Sequence, residues 1–232
     1  KFGMLQKVRE VFDELPIRDV VSWSVLIRGY AQCGLDVEAI KCFQMMKDEG
    51  ICPDAITFVC ILKACGGIGH IHIGEEIHGE IRKQDLLKKN TILATALVDM
   101  YTKCGLLGKA QKVFDELLVR DAVSWSAMMA GYSEQGCANE ALACFQCMQH
   151  EGILPDVFSF TYILQACSTT GCTDIGKRIH ASVRSLGLLK KNMVLGTTLV
   201  NMYAKCGFLG KAQEVFYDLA AQDVILWTAL IA

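Results

Sequence analysis

The chain has 232 residues with a formal net charge of −2, and 52% of its residues are hydrophobic and 21% are charged. This composition excludes a disordered tail or a polar linker, because such segments contain too few apolar residues to form a core. Only three prolines and no apolar run of about 18 residues are present, which excludes collagen-like chains, proline-rich linkers and transmembrane helices. A net charge near zero gives no general attraction to nucleic acid or membrane, so such binding would depend on local groups.

Twelve cysteines could indicate a disulfide framework. Most of them lie in apolar, periodic segments, and a chain of this length can form its core without crosslinks. We therefore predict free thiols and a reducing compartment. The sequence begins and stops inside helical patterns, without a start methionine or a recognisable signal or transit peptide, so we expect it to be part of a longer protein.

The first complete pair of predicted helices lies between residues 20 and 54. Its first helix is indicated by apolar residues at helical spacing, Trp23, Ile27 and Tyr30. Gly34 interrupts this pattern, and a second apolar face follows, formed by Ala39, Ile40, Phe43 and Met46. Gly50 and Pro53 then mark the end of the pair. Neither helix is long enough to bury its apolar face alone, so each pair is expected to pack on its neighbours.

The same pattern recurs along the whole chain. DVVSWS at Asp19 returns as DAVSWS at Asp121, and DVILWT starts at Asp223, so both steps are 102 residues. Each period contains three repeats of 35, 36 and 31 residues that end on Asp or Asn. The complete repeats are 20–54, 55–90, 91–121, 122–156, 157–192 and 193–223, with partial repeats at 1–19 and 224–232. This organisation predicts an all-α fold, a right-handed α-solenoid of stacked helix-turn-helix repeats.

Two families of helical repeat come close to this pattern. The tetratricopeptide repeat is a uniform 34-residue helix pair, which fits neither the 35/36/31 triplet nor the Asp or Asn at the end of each repeat. The sequence instead resembles the plant pentatricopeptide repeat family, in its subclass of alternating P, L and S repeats. VVSWSVLIRGYAQCG is similar to a P repeat, ILKACGGIGHIHIGEEIHGEI to an L repeat and LVDMYTKCGLLGKAQKVFDEL to an S repeat.

The resemblance gives each repeat a type and the chain an expected function. It implies P repeats at 20–54 and 122–156, L repeats at 55–90 and 157–192, S repeats at 91–121 and 193–223, a partial S repeat at 1–19 and a partial P repeat at 224–232. Proteins with this triplet mostly serve as recognition tracts of organellar C-to-U RNA editing factors. The resemblance therefore implies sequence-specific binding of single-stranded RNA in a mitochondrion or chloroplast. It implies no catalysis, cofactor, metal or membrane for this chain, and it suggests partners such as editing cofactor proteins or a deaminase domain in cis or in trans.

The family reads one base per repeat, with the fifth residue of the first helix and the last residue of the repeat. In this sequence the pairs are Ser24 with Asp54, Val59 with Asn90, Thr95 with Asp121, Ser126 with Asp156, Thr161 with Asn192 and Thr197 with Asp223, and the last partial repeat adds Thr228. An ionised Asp accepts hydrogen bonds and suits guanine N1–H and N2–H₂ or uracil N3–H, whereas Asn both donates and accepts and suits adenine or cytosine. By the family's code these pairs imply the RNA sequence 5′-GNGGAG-3′, in which Val59 leaves the second base unspecified.

The second residue of every repeat is apolar, and the family uses it to hold the base from both sides. These residues are Val21, Ile56, Ile92, Val123, Phe158, Val194 and Ile225. They could also fill the contact between adjacent repeats, and the two roles are compatible. The fifth and last residues could be ordinary helix-capping and turn residues. Phosphates are expected to meet basic residues that recur, although these could also be solvated surface groups: Lys88, Lys89, Lys190, Lys191, Lys103 and Lys205.

Two other classes of function remain as alternatives. A helical-repeat scaffold could bind protein or peptide partners. An enzyme would need zinc, and His78-Gly79-Glu80 matches half of the deaminase motif. No Pro-Cys-x-x-Cys follows it, so the sequence predicts no metal site there.

Overall fold

The computed structural model describes residues 2–87, 90–189 and 191–219, which form thirteen α-helices and no strand. The helices are α1 (Phe2–Asp13), α2 (Val20–Gln32), α3 (Asp36–Asp48), α4 (Ala55–Ile68), α5 (Ile71–Lys83), α6 (Thr91–Lys103), α7 (Leu107–Asp115), α8 (Ala122–Glu134), α9 (Ala138–His150), α10 (Val157–Thr170), α11 (Thr173–Ser185), α12 (Met193–Lys205) and α13 (Leu209–Asp218). The even-numbered helices from α2 to α12 are called first helices below, and the odd-numbered helices from α3 to α13 second helices.

The chain divides into two compact halves, Lys1–Arg120 and Asp121–Ala232. In the N-terminal half, the first helices α2, α4 and α6 pack side by side, and α3, α5 and α7 pack against them. In the C-terminal half, α8, α10 and α12 pack in the same way, and α9, α11 and α13 pack against them. Each half is therefore a stack of helix pairs, which confirms the expected all-α class.

Every first helix begins directly after an Asp or Asn that caps it. These caps are Asp19, Asp54, Asn90, Asp121, Asp156 and Asn192. In each of them a side-chain oxygen accepts a hydrogen bond from the backbone N–H three residues later, at 2.7–3.1 Å. This bond satisfies one of the N–H groups that a helix start leaves without a partner. All six residues therefore cap a helix, which is one of the two roles considered for them.

The turn inside a helix pair depends on glycine at matching places in the two halves. Gly34 and Gly136 have φ angles of 72° and 74°, in the left-handed region that side chains rarely adopt. Each follows the last residues of a first helix, and the second helix begins two residues later, at Asp36 or Ala138. The glycines thus end one helix and allow the chain to reverse.

The core consists of apolar side chains from both helices of each pair. Among the largest fully buried side chains are Trp23, Phe43, Phe58, Tyr203 and Phe216. All twelve cysteines are free, as the sequence predicted, and four are buried: Cys42, Cys60, Cys65 and Cys167. Burial raises the pKa of the Cys65 and Cys167 thiols to about 12, so these cysteines are protonated packing residues.

A histidine–tyrosine hydrogen bond joins neighbouring helix pairs in both halves. His78 Nδ1 lies 2.8 Å from the Tyr101 hydroxyl, and His180 Nδ1 lies 3.0 Å from the Tyr203 hydroxyl. Each bond connects a second helix with the next first helix. In the part of the chain that the structure describes, no group of three His, Cys, Asp or Glu residues is arranged to hold a metal ion.

Among the described residues, no helix is both long and apolar enough to span a bilayer.

Candidate functional site

The structure brings the predicted pair of residues together in both 35-residue repeats. Ser24 Oγ lies 3.4 Å from Asp54 Oδ1, and Ser126 Oγ donates a hydrogen bond of 3.0 Å to Asp156 Oδ1. The partners are 30 residues apart in sequence. They meet because neighbouring first helices pack side by side, so the fifth residue of one helix contacts the cap of the next.

A third residue, which the sequence analysis missed, completes each of these clusters. Thr57 donates to Asp54 Oδ1 from its backbone N–H at 2.8 Å and from its hydroxyl at 2.7 Å. Ser159 does the same to Asp156 Oδ1, at 2.7 and 2.8 Å. Both are buried, and their hydroxyls lie 2.7 and 2.8 Å from those of Ser24 and Ser126. The three-residue spacing of a helix cap is the signal that could have revealed them.

These bonds all use one oxygen of the carboxylate. Oδ2 of Asp54 and of Asp156 accepts no hydrogen bond from the residues that the structure describes. Ser24 and Ser126 are buried, whereas the two aspartates are partly exposed. A bound molecule would therefore meet the carboxylate. The Ser126 hydroxyl would act mainly by holding Asp156 in place, whereas the Ser24 hydroxyl donates to the Val20 carbonyl at 2.6 Å and lies near Asp54.

The 36-residue repeats lack such a cluster. Asn90 and Asn192 cap their helices through Oδ1, at 3.1 and 3.0 Å. Val59 has no hydrogen-bonding side chain, and the Thr161 hydroxyl donates to the backbone carbonyl of Val157 at 2.8 Å. No hydrogen bond joins Thr161 to Asn192 within the described ranges. Among the described residues, no group accepts the Nδ2 protons of Asn90 and Asn192, so these protons are available to a bound molecule.

The pairs of the 31-residue repeats are only partly described. Thr95 and Asp121 belong to different halves of the chain. The Thr197 hydroxyl donates to the backbone carbonyl of Met193 at 3.0 Å. Three further predicted residues lie outside the described residues: Asp223, Ile225 and Thr228.

The apolar second residues lie on the surface. Their side chains are 54–72% exposed: Val21, Ile56, Ile92, Val123, Phe158 and Val194. More than half of each side chain is therefore accessible to a bound molecule, and the remainder is in contact with the protein. Isolated exposed apolar residues are common on proteins, but here they recur at one position of each first helix, next to its cap.

In the N-terminal half, four predicted residues line one cleft of about 460 Å³ between α2, α4 and α6. They are Ile56, Val59, Asn90 and Ile92. Ile56 and Ile92 are the apolar second residues of the consecutive repeats 55–90 and 91–121, and Val59 and Asn90 are the fifth and last residues of the first of these repeats. A flat ring held between the two isoleucines would meet Val59 and Asn90 with its edge.

Two basic residues that the sequence analysis missed also line this cleft, Arg28 on α2 and Lys63 on α4. Both are exposed, and neither forms an ion pair with any described residue. Each is the ninth residue of its helix, one turn after the fifth, so its side chain lies on the same helix face as the predicted reading residue. That i, i+4 spacing is the signal that could have identified them.

The lysines predicted to meet phosphates differ in their surroundings. Lys103 Nζ lies 2.8 Å from Asp99 Oδ2, so part of its charge is neutralised. Lys205 has Asn201 at the position that corresponds to Asp99, and it forms no ion pair with a described residue. Lys191 is exposed. Three others fall outside the described residues: Lys88, Lys89 and Lys190.

Comparison with known families gives matches along the chain. The model of the PPR repeat family matches residues 18–67 and 120–169, and the model of the PPR repeat matches residues 92–121 and 197–223. Together these matches cover more than half of the chain.

Curated relatives from Arabidopsis thaliana agree with these matches. A mitochondrial pentatricopeptide repeat-containing protein is 33% identical over 231 residues, covering 100% of this chain and 41% of that protein. A second pentatricopeptide repeat-containing protein is 39% identical, covering 99% of this chain and 40% of that protein, and a chloroplastic one is 36% identical, covering 100% of this chain and 37% of that protein. The chain thus spans about two fifths of the length of the curated relatives that it matches.

Solved structures show the same fold. The crystal structure of the pentatricopeptide repeat protein PPR10 from maize superposes with a TM-score of 0.68 at 19% identity, over 99% of this chain and 34% of that one. PPR10 in complex with an 18-nt psaJ RNA element gives a TM-score of 0.56 at 18% identity, over 98% of this chain and 39% of that one. The fold is therefore the stacked-helix solenoid of PPR10, as expected from the repeats. With the family models matched over most of its length, this chain belongs to the pentatricopeptide repeat family.

Proposed function

We propose that this chain is the RNA-recognition tract of an organellar C-to-U RNA editing factor and that it binds single-stranded RNA with one base per repeat. The observation that carries the proposal is the Ser126–Asp156 cluster, repeated as Ser24–Asp54, with an exposed apolar residue at the start of each adjoining helix. PPR10, which shares the fold, has been crystallised with an RNA element. The proposal includes the division into P, L and S repeats given above.

The chemistry of the cluster favours guanine. The serine hydroxyl and the cap bonds hold Asp156 through Oδ1, and Oδ2 remains able to accept protons from a base edge. Guanine presents two adjacent donors, N1–H and N2–H₂, whereas uracil presents only N3–H, and adenine and cytosine present only one amino group on their pairing edges. The apolar second residues would then contact the two faces of the base, as stacking surfaces do in single-strand binding.

Extended over the six repeats, the same reasoning supports the sequence 5′-GNGGAG-3′. Mitochondrial and chloroplastic relatives support an organellar location. The cytidine would be edited by a deaminase domain elsewhere in the same protein or in a partner. The main alternative is a scaffold for protein or peptide partners, and it predicts no base preference at all.

Replacing Ser126 by Asn tests the assignment of the fourth base. The larger amide crowds a purine, and its donor and acceptor suit the edge of uracil. We expect the variant to prefer U over G at the fourth base by at least about tenfold. Dissociation constants would be measured for four strands that differ only at this base.

Ser24→Asn is the matched control, since it carries the same change in the other cluster. It should alter the preference at the first base and leave the fourth base unchanged. If Ser126→Asn binds RNA but keeps its preference for G, the assignment of this pair is wrong.

A further inference from the structure

The two halves of this chain differ in charge at the ninth residue of the first helices, one turn after each predicted reading residue. In the N-terminal half the ninth residues of α2 and α4 are Arg28 and Lys63. The corresponding residues 102 positions later are Ala130 on α8 and Gln165 on α10. The remaining ninth residues are Asp99 on α6 and Asn201 on α12. Positive charge at this position therefore occurs only in the first two complete repeats among the described first helices.

Arg28 and Lys63 belong to one cleft. They line it together with the apolar Ile56, Val59 and Ile92, and no carboxylate is among its lining residues. Cys60 also lines the cleft. Burial raises the pKa of its thiol, the negative charge of Asp54 adds to that increase, and the positive charges of Arg28 and Lys63 oppose it, so both cations act on the same small region.

Most polar side chains that line this cleft donate hydrogen bonds, and the exposed Gln32 amide can also accept one. Asn90 Oδ1 is already used by the backbone N–H of Leu93 at 3.1 Å, which leaves the Nδ2 donors. Arg and Lys side chains donate and cannot accept. The cleft therefore offers hydrogen-bond donors and positive charge around apolar walls, and it fits a flat ring attached to an anion.

We propose that Arg28 and Lys63 bind the backbone phosphates that flank the second base, making this cleft the electrostatic anchor of the RNA. This inference rests on the proposed RNA binding. The proposed anchor provides much of the affinity for RNA at the second base, which Val59 leaves unspecified. The anchor would set the position of the strand, and the serine–aspartate clusters would read the neighbouring bases.

The test compares affinity and salt dependence for RNA containing GUGGAG. In the variant R28A/K63Q the two cations become the residue types found in the other half. We expect at least about fivefold weaker binding at low salt and a slope of log Kd against log salt that is smaller by about 1.4, from two lost phosphate contacts on a single strand. Because the contacts are with phosphates, the loss of affinity should be the same for strands with different second bases.

Two further variants make the test specific. K41Q/K112Q removes two exposed lysines from the second helices α3 and α7, and it should change binding by less than about twofold. A130R/Q165K creates the cation pair in the C-terminal half, and it should strengthen binding and increase the slope. Circular dichroism would establish that all variants are folded.

The outcomes separate the anchor from the proposed function. If the unchanged protein binds RNA and R28A/K63Q binds it with the same affinity, the anchor is overturned and RNA recognition stands. The same holds if K41Q/K112Q loses as much affinity as R28A/K63Q. No RNA binding by the unchanged protein would overturn both. A poly-glutamate peptide would also be used as a competitor. If it displaced the labelled RNA as effectively as unlabelled RNA does, this result would overturn the anchor in favour of an acidic protein partner.

Discussion

The last residue of each 35-residue repeat caps a helix and is also the proposed base-reading residue. Asp156 caps α10 with Oδ1 and receives the Ser126 and Ser159 hydroxyls on the same oxygen. Capping and base recognition were competing explanations of this residue, but the geometry makes them compatible. The cap fixes the orientation of the carboxylate, and a fixed acceptor discriminates between bases better than a mobile one.

Two substitutions of Asp156 separate these roles. Asp156→Asn keeps an oxygen for the cap, so the free energy of unfolding should change by less than about 0.5 kcal/mol, while the preferred fourth base moves from G to A. Asp156→Ala removes the cap and should cost about 1 kcal/mol of stability as well as the base preference. Urea denaturation gives the first quantity, and dissociation constants for strands with G or A at the fourth base give the second. Equal stability of the two variants would contradict the capping role.

At the scale of helices, close approach of a second helix to the next first helix depends on a repeated glycine. A Cβ atom on Gly74 of α5 would lie 2.6 Å from Met100 Cε and 2.7 Å from its Sδ. Gly176 of α11 has the same relation to Met202, at 2.6 and 2.9 Å. Both methionines are fully buried, so neither can move aside without disturbing the core.

Gly74→Leu should therefore destabilise the protein by about 1–3 kcal/mol, through overpacking against Met100. Gly79→Leu is the matched control on the same helix, because a Cβ there meets no atom within 4 Å. The control should be neutral or stabilising by up to about 1 kcal/mol, since glycine is a poor helix former. Urea denaturation of both variants provides the comparison. A loss of the same size in both would show that helix approach is not the cause.

Sequence periodicity was sufficient to predict the helices but only part of the site. Apolar spacing and the recurring Asp and Asn predict where the first helices begin, because caps and apolar faces are local features. Thr57 and Ser159 were missed because their role depends on a contact with a residue about 33 positions earlier. Arg28 and Lys63 were missed because the residues 102 positions later are uncharged, and repetition was the feature that predicted functional residues. The exposure of the apolar second residues depends on how neighbouring helices pack, which the sequence alone does not specify.

At the scale of the whole molecule, one pattern of caps, exposed apolar residues and reading positions occurs in both halves. The two halves share most of their fifth and last residues and differ at the ninth position, where Arg28 and Lys63 correspond to Ala130 and Gln165. In the proposed mode of binding, the fifth and last residues select the RNA sequence and the ninth residues hold the strand. A uniform scaffold with variable positions is also how repeat proteins generally acquire extended binding surfaces.

The most direct measurement is fluorescence anisotropy of the protein with a labelled single strand containing GUGGAG and with a strand in which the purines are replaced by pyrimidines, at one stated salt concentration. The account predicts at least about a tenfold preference for the first strand, or 1.4 kcal/mol. Equal affinity for the two strands would contradict recognition of individual bases, and absence of binding to either would contradict RNA recognition by this chain.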